Sequence, residues 1–178
     1  MSALISDFDA ALPGPLYWDA SFLVHATYPA GRYHRECYAF LERLGSAGDT
    51  LSYVSTLALD ETLFTLIRLR VVEDHPRRGF WEVYRENHQV IQSYLEELRA
   101  LVERLSIDPR IRLVGTERGD LSAAMDYMDR YACLPRDAMH LAVMARLDID
   151  GIVTTDDDFV SIDGFSLFTC NPRILSQP

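Results

Sequence analysis

Acidic residues supply most of the chemistry this chain has to offer. The stretch Val153-Thr154-Thr155-Asp156-Asp157-Asp158-Phe159 sets three carboxylates side by side directly after the apolar run Gly151-Ile152-Val153. Like charges this close repel, and at the end of a buried strand the repulsion persists only where water or a cation offsets it. Three further acids have comparable local contexts: Asp19 after Leu16-Tyr17-Trp18, Glu61 soon after Thr50–Val54, and Asp137 two residues past Pro135. Oxygen donors of this kind suit Mg2+ or Mn2+. A cation so held lowers the pKa of bound water and shields the charge that develops on a phosphodiester, so no histidine or lysine base is needed.

Composition narrows the alternatives. All 17 basic residues are arginine, which removes a P-loop lysine, a Schiff base and a lysine-dependent phosphoaspartate site. No serine–histidine–aspartate signature or glycine-rich phosphate loop is present. A formal net charge of −10 argues against a surface that clings everywhere to nucleic acid. It leaves room for a local basic groove, for which Arg32, Arg35 and Arg136 are the candidates, although Arg136 could equally pair with neighbouring acids. Cys37, Cys133 and Cys170 are odd in number and contain no CxxC pair, the pattern of reduced, packed thiols. The acidic start MSALISDFDA and the lack of any apolar run near the roughly 20 residues that span a bilayer point to a soluble, cytoplasmic protein with no membrane partner.

These residues need elements to hold them. With 178 residues, 48% of them apolar, residues 1–178 fit one domain with a real core. Leu16-Tyr17-Trp18 reads as a strand, followed by a helix from Ala20 toward Pro29. A helical stripe from Tyr33 to Leu44 stops at Gly45 and Gly48, and Thr50–Val54 alternates like a strand. A helix capped by Ser55 or Thr56 carries Leu57, Leu59, Leu63, Phe64 and Ile67. From Phe80 to Leu105 apolar residues recur every three or four positions, which predicts one continuous amphipathic helix about 38 Å long. That helical extension, around 76–106 and with its loop 76–110, either folds back on the preceding helix at Asp74-His75-Pro76 or offers an apolar face to a second copy.

Ile111–Val114 follows as a strand, then a helix capped by Thr116 or Asp120, then one opened by Pro135. Gly151–Thr154 and Phe165–Phe168 close the sequence of elements, and the tail 171–178 is expected to fray. About five short strands alternating with helices predict an α/β fold with a central parallel sheet and helices on both faces. In a parallel sheet the strand C-termini and the following helix N-termini share one edge. Asp19, Glu61, Asp137 and Asp156 therefore converge there. Helix N-terminal dipoles offset such charge by only about 0.3–1 kcal/mol each, too little for four carboxylates without a cation.

With these residues in place, the chain resembles a known family. YWDASFLV at 17–24, LALDETLF at 57–64, LPRDAMHLAVM at 134–144 and IVTTDDDF at 152–159 are similar to the four acidic motifs of PIN domains, most of all those of VapC-type ribonuclease toxins. The resemblance implies a PIN-like fold and a Mg2+- or Mn2+-dependent endoribonuclease, the toxin of a type II toxin–antitoxin pair. It implies Asp19, Glu61, Asp137 and Asp156 as catalytic metal ligands, Asp158 as an auxiliary acid at the metal, and Thr154 or Thr155 as polar neighbours. An RNA substrate, a small antitoxin and a homodimer are the partners expected.

Asp60 stands beside Glu61, and the motif selects Glu61. Asp157 competes with its neighbours, but alternation beyond a strand turns it away from Asp156 and Asp158. His140, one turn after Asp137, is expected to pack or to hold a ligand rather than ligate. An EF-hand reading of DDDFVSIDG fails on its glycine and closing glutamate. A ribonuclease H-like fold shares the chemistry, but its opening strand hairpin is missing. The alternative from another class is a PIN-like binding or assembly module that holds a cation without turnover.

Overall fold

The computed structural model of the chain describes residues 3–12, 14–46 and 50–176. Six strands form one sheet: β1 (Leu4–Asp7), β2 (Leu16–Trp18), β3 (Ser52–Ser55), β4 (Ile111–Val114), β5 (Gly151–Val153) and β6 (Ser166–Thr169). Their order is β1-β6-β5-β2-β3-β4, and every pairing is parallel. The α/β architecture agrees with the expectation, with one strand more than the sequence pattern gave. The extra strand is β1. As an edge strand it pairs only with β6 and is half exposed, so Leu4-Ile5-Ser6-Asp7 lacks the apolar run of a central strand.

Strand β2 explains how the layers are held. Alternation sends Leu16 and Trp18 to one face of the sheet and Tyr17 to the other. Leu16 and Trp18 pack with Phe22, Phe40, Leu66, Leu101 and Leu105, from α1 (Ala20–Thr27), α2 (His34–Ser46), α3 (Thr56–Asp74) and α5 (Leu95–Ile107). Tyr17 packs with Leu141, Met144, Ile152, Phe159 and Ile174 on the opposite face, served by α7 (Pro135–Arg146) and α8 (Pro172–Leu175). Full burial of an aliphatic or aromatic side chain stabilises by about 1.5–3 kcal/mol, so both faces are substantial cores. Gly151 permits β5 to approach β2, because a Cβ there would meet Leu16 Cδ2 at 2.7 Å.

Helix α4 (Phe80–Glu86), a 3-10 segment (His88–Tyr94) and α5 replace the single long helix expected over 80–105. Asn87 breaks it. Its backbone is extended, and its side chain accepts from Gln89 N at 3.1 Å. The apolar stripe survives because each piece is buried separately. Phe80, Val83, Val90 and Tyr94 close on Val71 of α3, whereas Leu98, Leu101 and Leu105 join the main core. The fold-back at 74–76 is thus the geometry observed. Of Trp81, Ile91 and Leu98, Trp81 alone stays exposed, at 54%. Self-association through a long apolar helix face loses most of its surface.

Other boundaries are corrected locally. Helix α2 runs past Gly45 to Ser46, and Gly48 lies outside the described residues. Ser55 caps α3 by accepting from Ala58 N at 3.0 Å, a contact worth about 1 kcal/mol. Helix α6 (Arg118–Tyr131) begins after Glu117 rather than at Thr116 or Asp120, and Asp120 accepts from the Glu117 N–H at 2.7 Å. The tail does not fray at its start: Asn171 caps α8 and Ile174 is fully buried, while residues 177–178 lie outside the described range. All three cysteines are free thiols, and Cys37 and Cys170 lie with their sulfurs 3.8 Å apart. Among the described residues no helix is long and apolar enough to cross a membrane.

Candidate metal centre

From β2 the chain proceeds to β3 on one side and later returns to β5 on the other. The gap beyond β2 and β5 is therefore the switch point of the sheet, where open α/β folds leave a crevice. Asp19 and Thr154 stand at its two lips, tied by the Asp19 N–H to Val153 O at 3.0 Å. A cleft of about 680 Å³ opens there, lined by Asp19, Ser21, Glu61, Arg136, Asp137, Asp156 and Asp158 among others. All four acids singled out in the sequence reach this one cleft, with Asp158. Asp60 is exposed and Asp157 is exposed, and neither lines it. Arg136 does, whereas Arg32 and Arg35 are exposed elsewhere.

Asp19, only 4% exposed, is the N-cap of α1. Its Oδ2 accepts from Ser21 N (3.2 Å), Ser21 Oγ (2.6 Å) and Thr154 Oγ1 (2.8 Å). Those two hydroxyls are held in turn by the next strand's loop: Thr155 N donates to Ser21 Oγ at 2.9 Å and Asp156 N to Thr154 Oγ1 at 3.0 Å. Oδ2 is saturated and Oδ1 is left toward the cleft. Thr154, not Thr155, is the threonine bonded to the carboxylate; Thr155 instead gives its carbonyl to Asn171 Nδ2 at 2.8 Å. Ser21 escaped the sequence reading. Its signal was there, two residues after an acid that caps a helix, but such a serine is common in any first turn.

Glu61 projects from the second turn of α3 and Asp137 from the first turn of α7. Glu61 Oε2 meets His140 Nε2 at 3.2 Å, and Asp19 Oδ1 lies 3.8 Å from the same nitrogen. Arg136 Nε approaches Glu61 Oε1 at 3.2 Å without the geometry of a hydrogen bond. Glu61 Oε1 and Asp137 Oδ2 are buried with no hydrogen-bond partner. Unsatisfied buried carboxylate oxygens are costly; Glu61 Oε1 has the Arg136 charge beside it, whereas Asp137 Oδ2 has no partner in the cleft.

Electrostatics agree with the geometry. Burial, then the charges of Asp158 and Asp156, push Asp137 up to about 6 despite the opposing pull of His140. Asp156 is raised by burial first, and the Asp158 N–H on its Oδ1 only partly offsets this. Burial lowers His140, but the hydrogen bond to Glu61 and the charges of Asp19, Glu61 and Asp137 outweigh it and leave its pKa raised. One oxygen each of Asp19 and Glu61, with a ring nitrogen of His140, fall within 4.8 Å of one another, as do one oxygen each of Asp156, Asp157 and Asp158. Of the first group, the carboxylates are the ligand candidates. His140 Nε2 is engaged instead with Glu61 Oε2 at 3.2 Å, with Asp19 Oδ1 3.8 Å away.

The profile of the PIN domain family matches residues 16–165, which contain the whole cleft. The chain belongs to the PIN domain family. The PIN fold is shared with VapC20 of Mycobacterium tuberculosis, a sarcin–ricin-loop-cleaving toxin, at 17% identity and TM-score 0.55, over 81% of this chain and 92% of that one. VapBC2 of Rickettsia felis, solved bound to a promoter DNA fragment, is similar at 11% identity and TM-score 0.54, over 87% and 98%. A toxin–antitoxin complex from Klebsiella pneumoniae gives 16% identity and TM-score 0.50, over 84% and 94%. None of the curated proteins compared matches this chain in sequence. At such identities the likeness to solved structures is one of fold.

Proposed function

We propose that this PIN domain is a divalent-cation-dependent endoribonuclease, the toxin half of a toxin–antitoxin pair that acts in the cytoplasm. The observation that carries the reading is the meeting of Asp19, Glu61, Asp137 and Asp156 in one cleft, where Asp137 Oδ2 is buried with no hydrogen-bond partner. Those residues are oxygen donors that fit Mg2+ or Mn2+, with Asp158 as auxiliary acid. When bound, the cation supplies charge for the phosphodiester and a water of lowered pKa.

The chain's own part is to orient. Ser21 and Thr154 fix Asp19 by its Oδ2 so that Oδ1 stays available. His140 holds Glu61 by its Oε2, leaving Oε1 beside Arg136 at the rim of the cleft. Arg136, 65% exposed at the rim, is placed to meet a phosphate of the RNA if it leaves Glu61. Toxin–antitoxin complexes among the structural relatives support a small antitoxin as partner.

The test is cleavage of structured RNA oligonucleotides, a sarcin–ricin stem–loop included, by the purified chain with Mn2+. Cleavage stopped by chelation and reduced at least about a hundredfold by Asp19→Asn is expected. Unchanged cleavage by Asp19→Asn would remove the assignment. Mn2+ binding with no cleavage of any RNA would favour the binding module instead.

A further inference from the structure

Tyr17 sits in the middle of β2 with its side chain fully buried on the α7 face. Its hydroxyl lies 2.5 Å from Ser55 Oγ and 2.6 Å from His140 Nδ1. Ser55 Oγ already accepts from Ala58 N, and His140 Nε2 faces Glu61 Oε2. These groups form a line from the cap of α3 to the carboxylate centre. Nothing in the line is exposed until Glu61 is reached.

Donor and acceptor counting ties its direction to the charge of the ring. Nε2 must carry a proton, because both atoms it faces are carboxylate oxygens. In the neutral ring Nδ1 is then an acceptor, so Tyr17 donates to it and accepts from the Ser55 hydroxyl. In the charged ring Nδ1 donates to the Tyr17 oxygen, and Tyr17 donates to Ser55. Either way the Nε2–H stays on Glu61. Hydrogen bonds on the far ring nitrogen are the usual means of fixing a histidine's tautomer and ring orientation.

We infer that Tyr17 is a positioning residue of the metal centre: through His140 Nδ1, and backed by Ser55, it holds the ring so that Nε2–H fixes Glu61 by its Oε2 at the edge of the cleft. The role rests on the nuclease reading only for its effect on RNA, not for its effect on the cation. A purely structural Tyr17 would satisfy a buried hydroxyl and do no more. The two differ in what happens when the hydroxyl alone is removed.

Tyr17→Phe keeps the ring and the packing. Ile152→Val, in the same core, serves as the control for a modest loss of packing. Ring nitrogen–proton correlation spectra of the metal-free protein, with His140 assigned by a His140→Gln variant, are expected to show a sharp, protonated Nε2 in the wild type and an Nε2–H signal broadened by ring motion or exchange in Tyr17→Phe. Calorimetric titration with Mn2+ alone is expected to give about tenfold weaker binding for Tyr17→Phe and wild-type binding for Ile152→Val. Wild-type ring signals and Mn2+ affinity in Tyr17→Phe would overturn the inference, as would equal weakening in Ile152→Val. If Tyr17→Phe does not fold, the wild-type spectrum decides: Nδ1 protonated with Nε2 bare overturns it. Absence of RNA cleavage by the wild type would sink the nuclease reading and leave these spectra and titrations still decisive.

Discussion

Asp120 and Asp19 are both almost fully buried, at 2% and 4% exposure, yet the chain treats them in opposite ways. Asp120 receives Arg146, with Nε on Oδ1 at 2.8 Å and a second guanidinium nitrogen on Oδ2 at 3.2 Å, plus the Glu117 N–H. Burial would raise its pKa, but those contacts outweigh it and hold the carboxyl below the usual range. Asp19 is given only hydroxyls and a backbone N–H on one oxygen, and its neighbours Asp137 and Asp156 are left with raised pKa values. The chain evidently has arginines to place beside buried acids. In the cleft it places none but Arg136 at the rim, and beside Asp19 and Glu61 it sets His140, a group that titrates, in place of a fixed charge.

This contrast can be broken most severely at Asp120. Asp120→Ala strips Arg146 of its buried acid and leaves it only Glu117 Oε1 and Gly115 O, and a loss of about 3 kcal/mol in urea unfolding is expected. Replacing both partners, Asp120→Leu with Arg146→Met, should cost less than the single change; a larger cost would mean the pair is worth more than its packing. Next in size, Mn2+ at a hundred times its dissociation constant should stabilise the wild type by about 2.7 kcal/mol and Asp19→Asn by far less. Equal stabilisation of both would detach the cation from this cleft.

The smallest expected effect is Asp137→Asn in metal-free protein. A folded-state pKa raised to about 6 from 3.8 means the native state holds a proton that the unfolded chain releases. Stability therefore falls as pH rises through the window from about 4 to about 6 and levels off above it. Asp137→Asn should flatten that slope and, at neutral pH, gain under about 1 kcal/mol after screening by solvent. A variant whose pH profile overlays the wild type would show that Asp137 is not the group titrating there.

How far the sequence could take this depends on what each residue touches. Asp19, Glu61, Asp137 and Asp156 were legible because each follows a strand or opens a helix, and parallel topology sends all such positions to one edge. The helix break at Asn87 was not, since apolar spacing records which side chains are buried and is blind to a backbone that turns between two buried segments. β1 was missed because an edge strand needs no continuous apolar run. Tyr17 looked like one more core aromatic. Its hydroxyl matters only through Ser55 and His140, 38 and 123 residues away, and no local pattern records that.

The hydroxyl bond from Thr154 to Asp19 joins residues separated by 135 positions. In a chain made from its N-terminus, the first acid of the centre emerges long before the last, and β1 must wait for β6 to find its only neighbour in the sheet. Fragments cut short on the ribosome thus lack the centre altogether. Whatever this cleft does begins only after the chain has been made through Asp156.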